Sequence, residues 1–103
     1  AVRDYAMYQV NEQGVIVSWS EAAERVHQFA AADIVGQSAS RLLPPETGGD
    51  AHVKETLSQA ARAGWSEEEG NRVRADGSVF WSTTVVTALH GADGAPVSYS
   101  VVS

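Results

Sequence analysis

From Tyr5 to Val10 the side chains alternate between two faces of an extended strand. Tyr5, Met7 and Gln9 alternate with Ala6, Tyr8 and Val10, and after Asn11-Glu12-Gln13-Gly14 comes the β-branched run Val15-Ile16-Val17-Ser18-Trp19. A period of two on both sides of a turn-forming tetrapeptide predicts a β-hairpin. The period then changes. Ser20 is a good N-cap, and Ala22, Ala23, Val26 and Phe29 or Ala30 recur at helical spacing, with Glu21 four residues before Arg25. A helix of about two turns is expected there.

From Ala31 to Pro45 the pattern breaks up. Apolar pairs stand before Gly36 and at Leu42-Leu43, and Pro44-Pro45 ends anything helical, so two single-turn helices are expected. After the loop Glu46-Thr47-Gly48-Gly49, Asp50 can cap a longer helix with Val53, Leu57, Ala60 and Ala61 on one face and Gly64 as its stop. The remainder reads as strand: Trp65 to Arg74, a turn at Ala75-Asp76-Gly77-Ser78, Val79 to Leu89, a loop through Asp93-Gly94, and Val97 to Val102. Both Asp-Gly steps suit hairpin turns, because glycine accepts the positive φ these demand.

This order, two strands, a helical middle and three strands, fits a five-stranded antiparallel sheet with helices on one face, an α+β class. The longest strand complicates the other face. Val79, Trp81, Thr83, Val85, Thr87 and Leu89 fall on one side and Phe80, Ser82, Thr84, Val86 and Ala88 on the other, so neither side is plainly polar. A half-solvated antiparallel strand ordinarily alternates cleanly. Either a second protomer or flanking helix covers the outer face, or these are scattered surface apolars without consequence.

Composition narrows the classes. The 103 residues, 44% hydrophobic and 19% charged, suit one globular domain covering residues 1–103. Beginning at Ala1 rather than Met, that domain reads as a piece of a longer chain. Without cysteine there are no disulfides, thiolate metal sites or cysteine nucleophile. The formal charge of −6 opposes a nucleic-acid backbone, and the absence of an apolar span or secretion signal makes a cytoplasmic location, without membrane contact from this segment, the default. Arg72 and Arg74 both precede the Asp-Gly turn in the stretch NRVRADGSVFW, where Glu67 or Glu69 are the expected charge partners. No catalytic motif is present: Val35-Gly36-Gln37-Ser38-Ala39-Ser40 fails the nucleophile elbow at its last position, and Glu68 and Glu69 fall on opposite faces of a strand. The domain is therefore read as non-enzymatic.

Four motifs in order carry a resemblance: Trp19-Ser20, Ala22-Ala23-Glu24-Arg25, Asp33 through Gly36, and Arg74 through Ser78. With their flanking strands they make nearly the whole chain resemble a PAS domain, the sensory module of bacterial histidine kinases and related two-component signalling proteins. The resemblance implies strand order 2-1-5-4-3, a ligand space between helices and sheet, and an output domain reached from the last strand, while the apolar outer face leaves a homodimer through that face as a possible partner. The family also implies cofactor candidates. A haem ligand would fall to His52, but at about 100° per residue it points roughly 125° from the apolar stripe of its helix; His27 reads as packing and His90 as a loop residue. Flavin photoadduct chemistry needs a cysteine that is missing, and noncovalent FAD would call on Trp65 and Asn71, which read equally as strand residues. A cofactor-free domain is the first expectation, and a ligand-free dimerisation spacer is another reading. Any pocket is expected at Val17, Phe29, Ile34, Leu42, Leu43, Leu57, Phe80 and Val86, which could equally be plain core.

Overall fold

Asn11 closes the first hairpin. Its Oδ1 accepts the N–H groups of Gln13 and Val15, each at 3.0 Å, and Gly14 turns through a left-handed φ of +79°. The computed structural model describes residues 5–103. In it the hairpin strands are β1 (Met7–Asn11) and β2 (Ile16–Trp19), with Gln9 opposite Ser18 and Val10 opposite Ile16. That shift leaves Val17 as the extra residue of a bulge.

Ser20 caps α1 (Glu21–His27), its Oγ accepting from the Ala23 N–H at 3.0 Å. The helix ends earlier than its spacing suggests: Gln28 adopts a left-handed φ of 65°, so Phe29 lies beyond it. Next come α2 (Ala31–Ile34) and two 3₁₀ turns, Ala39–Leu42 and Pro45–Thr47. The last turn was not expected. Pro45 opens it, at a position where a missing N–H costs nothing.

The long helix α3 (Gly49–Ala63) buries Val53, Leu57 and Ala60 and stops at Gly64, whose N–H reaches the Ala60 carbonyl. Its N-cap is Gly48, not Asp50. Asp50 lies one position inside, accepting from Ser38 Oγ at 2.6 Å, where a carboxylate still favours the helix dipole. The strands β3 (Trp65–Val73), β4 (Val79–His90) and β5 (Pro96–Val102) complete one antiparallel sheet of order β2-β1-β5-β4-β3. His90 thus ends β4 instead of sitting in a loop.

One sheet face carries the core. Tyr8, Val10, Ile16, Val86, Ala88, Tyr99 and Val101 pack there against Ile34, Leu42, Val53, Leu57 and Ala60. On the opposite face Met7, Trp65, Val79 and Trp81 are each more than half exposed. At the hairpin turn, a Cβ on Gly14 would stand 2.8 Å from Val53 Cγ1, so the turn presses its backbone onto α3. Gly14→Ala should therefore cost about 2–4 kcal/mol in urea denaturation, combining φ strain with overpacking. Gly77→Ala, also at positive φ but with nothing within 4 Å, should lose only about 1 kcal/mol. Equal losses would show that the contact with Val53 carries no weight.

Candidate functional site

The edge strand β3 alternates strictly. Trp65, Glu67, Glu69 and Asn71 are exposed on the outer face, while Ser66, Glu68, Gly70 and Arg72 turn toward α3. Arg72 is only 5% exposed. A buried guanidinium must be both paired and hydrogen-bonded, and here its Nη2 donates to Glu68 Oε1 at 2.8 Å while Nη1 donates to the Asn71 carbonyl at 2.9 Å. Gly70 lies between the two charged residues, and a Cβ there would stand 3.3 Å from Arg72 Nη1. The missing side chain makes room for the guanidinium to fold back along its own strand. From the other side, His52 on the first turn of α3 brings Nε2 within 3.0 and 3.1 Å of the two Glu68 oxygens. Since a carboxylate only accepts, that nitrogen carries the proton.

These groups form one end of a cavity of about 50 Å³ between α3 and the sheet. Leu42, Leu43, Val53, Leu57, Val86 and Val101 supply its apolar wall, and Tyr8, Thr56 and Thr84 add hydroxyls. Burial pushes the Tyr8 phenol up to about 12; Arg72 opposes that shift and Glu68 adds to it. The phenol stays protonated. Thr84 is 5% exposed, and its Oγ1 has no hydrogen-bond partner among the described residues.

Beside the cavity an aromatic cluster packs around His27. Its ring centroid lies 5.4 Å from Trp19, 5.3 Å from Phe80 and 6.2 Å from Tyr8. Trp19 Nε1 donates to the Phe29 carbonyl at 2.9 Å, and the Arg74 guanidinium stacks 4.6 Å over Phe80. His27 is 1% exposed and neither ring nitrogen has a partner among the described residues; the nearby Val73 backbone falls short of hydrogen-bond geometry. Burial first, and then the positive charge of Arg72, hold its pKa down near about 4.

The expected site residues divide. Leu42, Leu43, Leu57 and Val86 line the cavity, Ile34 is sealed in the core, and Phe29 and Phe80 are half-buried away from it. Val17 is 46% exposed, because the β2 bulge displaces it from the inward register. Trp65 and Asn71 stand on the outer face and cannot touch a group held under α3. His52, expected to point into solvent, instead lines the cavity, because β3 runs along that flank of the helix. Its Nε2 is committed to Glu68. The arginines also find other partners than expected: Arg72 takes Glu68 instead of the outward Glu67 or Glu69, and Arg74 takes Ser78 Oγ at 3.1 Å and the Phe80 ring. Tyr8, Glu68, Arg72 and Thr84 escaped notice as pocket residues. The spacing Glu68-x-Gly70-x-Arg72 was the available signal, since strand periodicity puts all three on one face.

A family model described as the PAS fold matches residues 4–102. The chain belongs to the PAS family. A curated relative, two-component system protein A of Emericella nidulans, is 32% identical over 89 residues, covering 86% of this chain but only 13% of the relative. Among solved structures, the PAS domain of a Colwellia psychrerythraea protein superposes with TM-score 0.87 at 19% identity, covering 97% of this chain and 84% of that one. A second, the PAS domain in complex with ethanol of a LuxR-family transcriptional regulator from Burkholderia thailandensis, gives 0.77 at 17% identity, covering 99% and 89%. The strand order and helical cover expected of a PAS domain are those observed.

Two consequences of this PAS domain's ionisable groups under the helices can be measured. Glu68→Ala strands the Arg72 guanidinium and should lose about 3 kcal/mol in urea denaturation, whereas Glu68→Leu combined with Arg72→Met should recover most of that loss. His27 is neutral when folded, so its contribution is fully present above pH 6.5 and is lost as pH falls through about 4. His27→Phe should remove about 3 kcal/mol of the stability difference between pH 7 and pH 4, read from parallel denaturation curves.

Proposed function

We propose that this domain is a cytoplasmic, non-enzymatic sensory module, one part of a longer two-component signalling protein such as a histidine kinase. A small ligand taken up under α3 shifts the balance between two arrangements of helix and sheet, and the shift passes to an output domain in the same chain. PAS domains are generally sensory rather than catalytic. The observation that carries the reading is the cavity itself, where an apolar wall meets a paired buried charge and an unsatisfied hydroxyl. Val101 of β5 lines it, so filling it acts directly on the last strand of the sheet.

Haem and flavin are large for the cavity under α3. Pockets for ligands of that size run to about 300–1,000 Å³, whereas this cavity measures about 50 Å³. Of the candidates, His52 Nε2 is held by Glu68, and Trp65 and Asn71 face away.

The outer sheet face supports a second part of the proposal, association with another copy of the domain. Trp81 at 65%, Trp65 at 54% and Met7 at 51% exposure are spread over one sheet surface that no helix among the described residues covers, and large exposed side chains of this kind are common anchors of interfaces. Light scattering coupled to size exclusion should give a dimer mass at micromolar concentration, and Trp81→Glu should weaken the dimer at least about tenfold. A wild-type domain that stays monomeric at all concentrations removes this part of the proposal and leaves the ligand-sensing part standing.

A further inference from the structure

The two edges of the sheet are finished differently. β2 is short and bulged, and its outer edge is taken at Ile16, which donates to the Gln37 carbonyl at 2.9 Å and accepts from the Gly36 N–H at 2.7 Å. At the other edge β3 runs nine residues without a bulge and pairs only with β4. A long free edge invites pairing with another chain. Parity decides which groups it offers. The Ala88 N–H donates to the Gly64 carbonyl at 3.0 Å and the Arg74 N–H to the Ser78 carbonyl at 2.8 Å. In the unbroken antiparallel ladder between them, even-numbered residues of β3 therefore bond to β4, and odd-numbered ones turn their N–H and C=O outward.

Part of that outward row is already used. The Asn71 carbonyl accepts from Arg72 Nη1 at 2.9 Å, and the Ala75 N–H, of the same parity, donates to the His27 carbonyl at 2.9 Å. Trp65, Glu67 and Glu69 remain, with backbone donors and acceptors that no described residue meets. The helix α3 does not roof this margin, because even Ser66, Glu68 and Gly70, which turn toward it, are only half-buried. The side chains then choose among occupants. Glu67 and Glu69 are exposed two residues apart on the outer face, and neither has a cationic partner among the described residues: Glu67 stands opposite Val85, and Glu69 accepts from Thr83 Oγ1 at 3.5 Å. A second copy pairing edge to edge would set glutamates against glutamates, which opposes pairing. An extended strand with lysine or arginine at every second position sets a cation against each of them instead.

We propose that the free edge of β3 from Trp65 to Glu69 is a docking site for an extended basic segment of a partner protein, which adds to the sheet as a further strand beside β3. Its backbone bonds to Trp65, Glu67 and Glu69, its alternate lysine or arginine side chains meet the two glutamates, and the stem of one lies along the exposed Trp65 ring. Docking here requires no ligand in the cavity.

The probe is a short end-capped peptide alternating lysine with threonine, titrated into the domain at low salt while backbone amides are followed by NMR. The expected result is saturable shifts and slowed hydrogen exchange at the Trp65, Glu67 and Glu69 amides, with a peptide alternating glutamate and threonine binding at least about tenfold more weakly. Methylating the probe's backbone nitrogens removes its strand-pairing donors and keeps its charge, and should also weaken binding at least about tenfold. Glu67→Gln combined with Glu69→Gln, at two exposed positions, should weaken the lysine probe about five- to tenfold, with the amide spectrum confirming the fold. Equal binding of the methylated probe means attraction by charge alone and overturns the strand addition. Equal binding of the glutamate peptide, or unchanged affinity in the double variant, overturns the basic partner. A lysine probe that never saturates these amides overturns the docking site altogether, and leaves the ligand-sensor reading untouched.

Discussion

The pairing of β5 with β1 is the constraint on which the rest of the molecule depends. It sets Met7 opposite Val102 and Asn11 opposite Ser98, joining the first strand to the last. Closing so long a loop costs about 4 kcal/mol on a logarithmic scale, offset by burying Val10, Tyr99 and Val101 against the helices. Without it the sheet separates into the β1–β2 hairpin and a β3–β4–β5 meander, and an isolated two-stranded hairpin is marginal in water. With it, Tyr8 from one end of the chain and Thr84 and Val101 from the other meet around one cavity.

The ion pair under α3 is a consequence of that closure rather than its cause. Buried ion pairs are weak contributors to net stability, since desolvation consumes most of the attraction. What Glu68 and Arg72 contribute is a fixed polarity at one end of an otherwise apolar space. The neighbouring cluster does the opposite. His27 brings an imidazole into a place that keeps it neutral, and the Ala75 N–H to His27 carbonyl bond of 2.9 Å ties the β3–β4 corner to the end of α1. The hairpin motif around Asp76 and Gly77 is thus a corner whose arginines look inward to Glu68 and Phe80.

Strand periodicity and turn chemistry made the architecture legible from the residues alone. Alternation in Tyr5–Val10, β-branched and aromatic runs elsewhere, and the turn residues at Asn11–Gly14 and the two Asp-Gly steps located the five strands and their turns. The helix ends were harder, because Gln28 takes a left-handed conformation that its residue type does not advertise and Gly48 caps α3 without a side chain. The site was the least legible part. Val17 was displaced by a one-residue bulge, which no local pattern in an apolar run reveals. His52 was misjudged because a helical stripe of buried apolar residues gives the centre of the packed face but not its width, and β3 extends that face to the flank. Arg72 was paired by proximity in sequence when pairing by parity would have chosen Glu68.

Gly70 links these observations to how such a chain can change over generations. A Cβ at 70 would crowd the guanidinium of Arg72 where it doubles back to its carboxylate, so changes at positions 68, 70 and 72 are coupled. Bulk gained at 70 makes the charge pair at 68 and 72 harder to keep, and losing that pair would remove the fixed polarity from the chamber it borders.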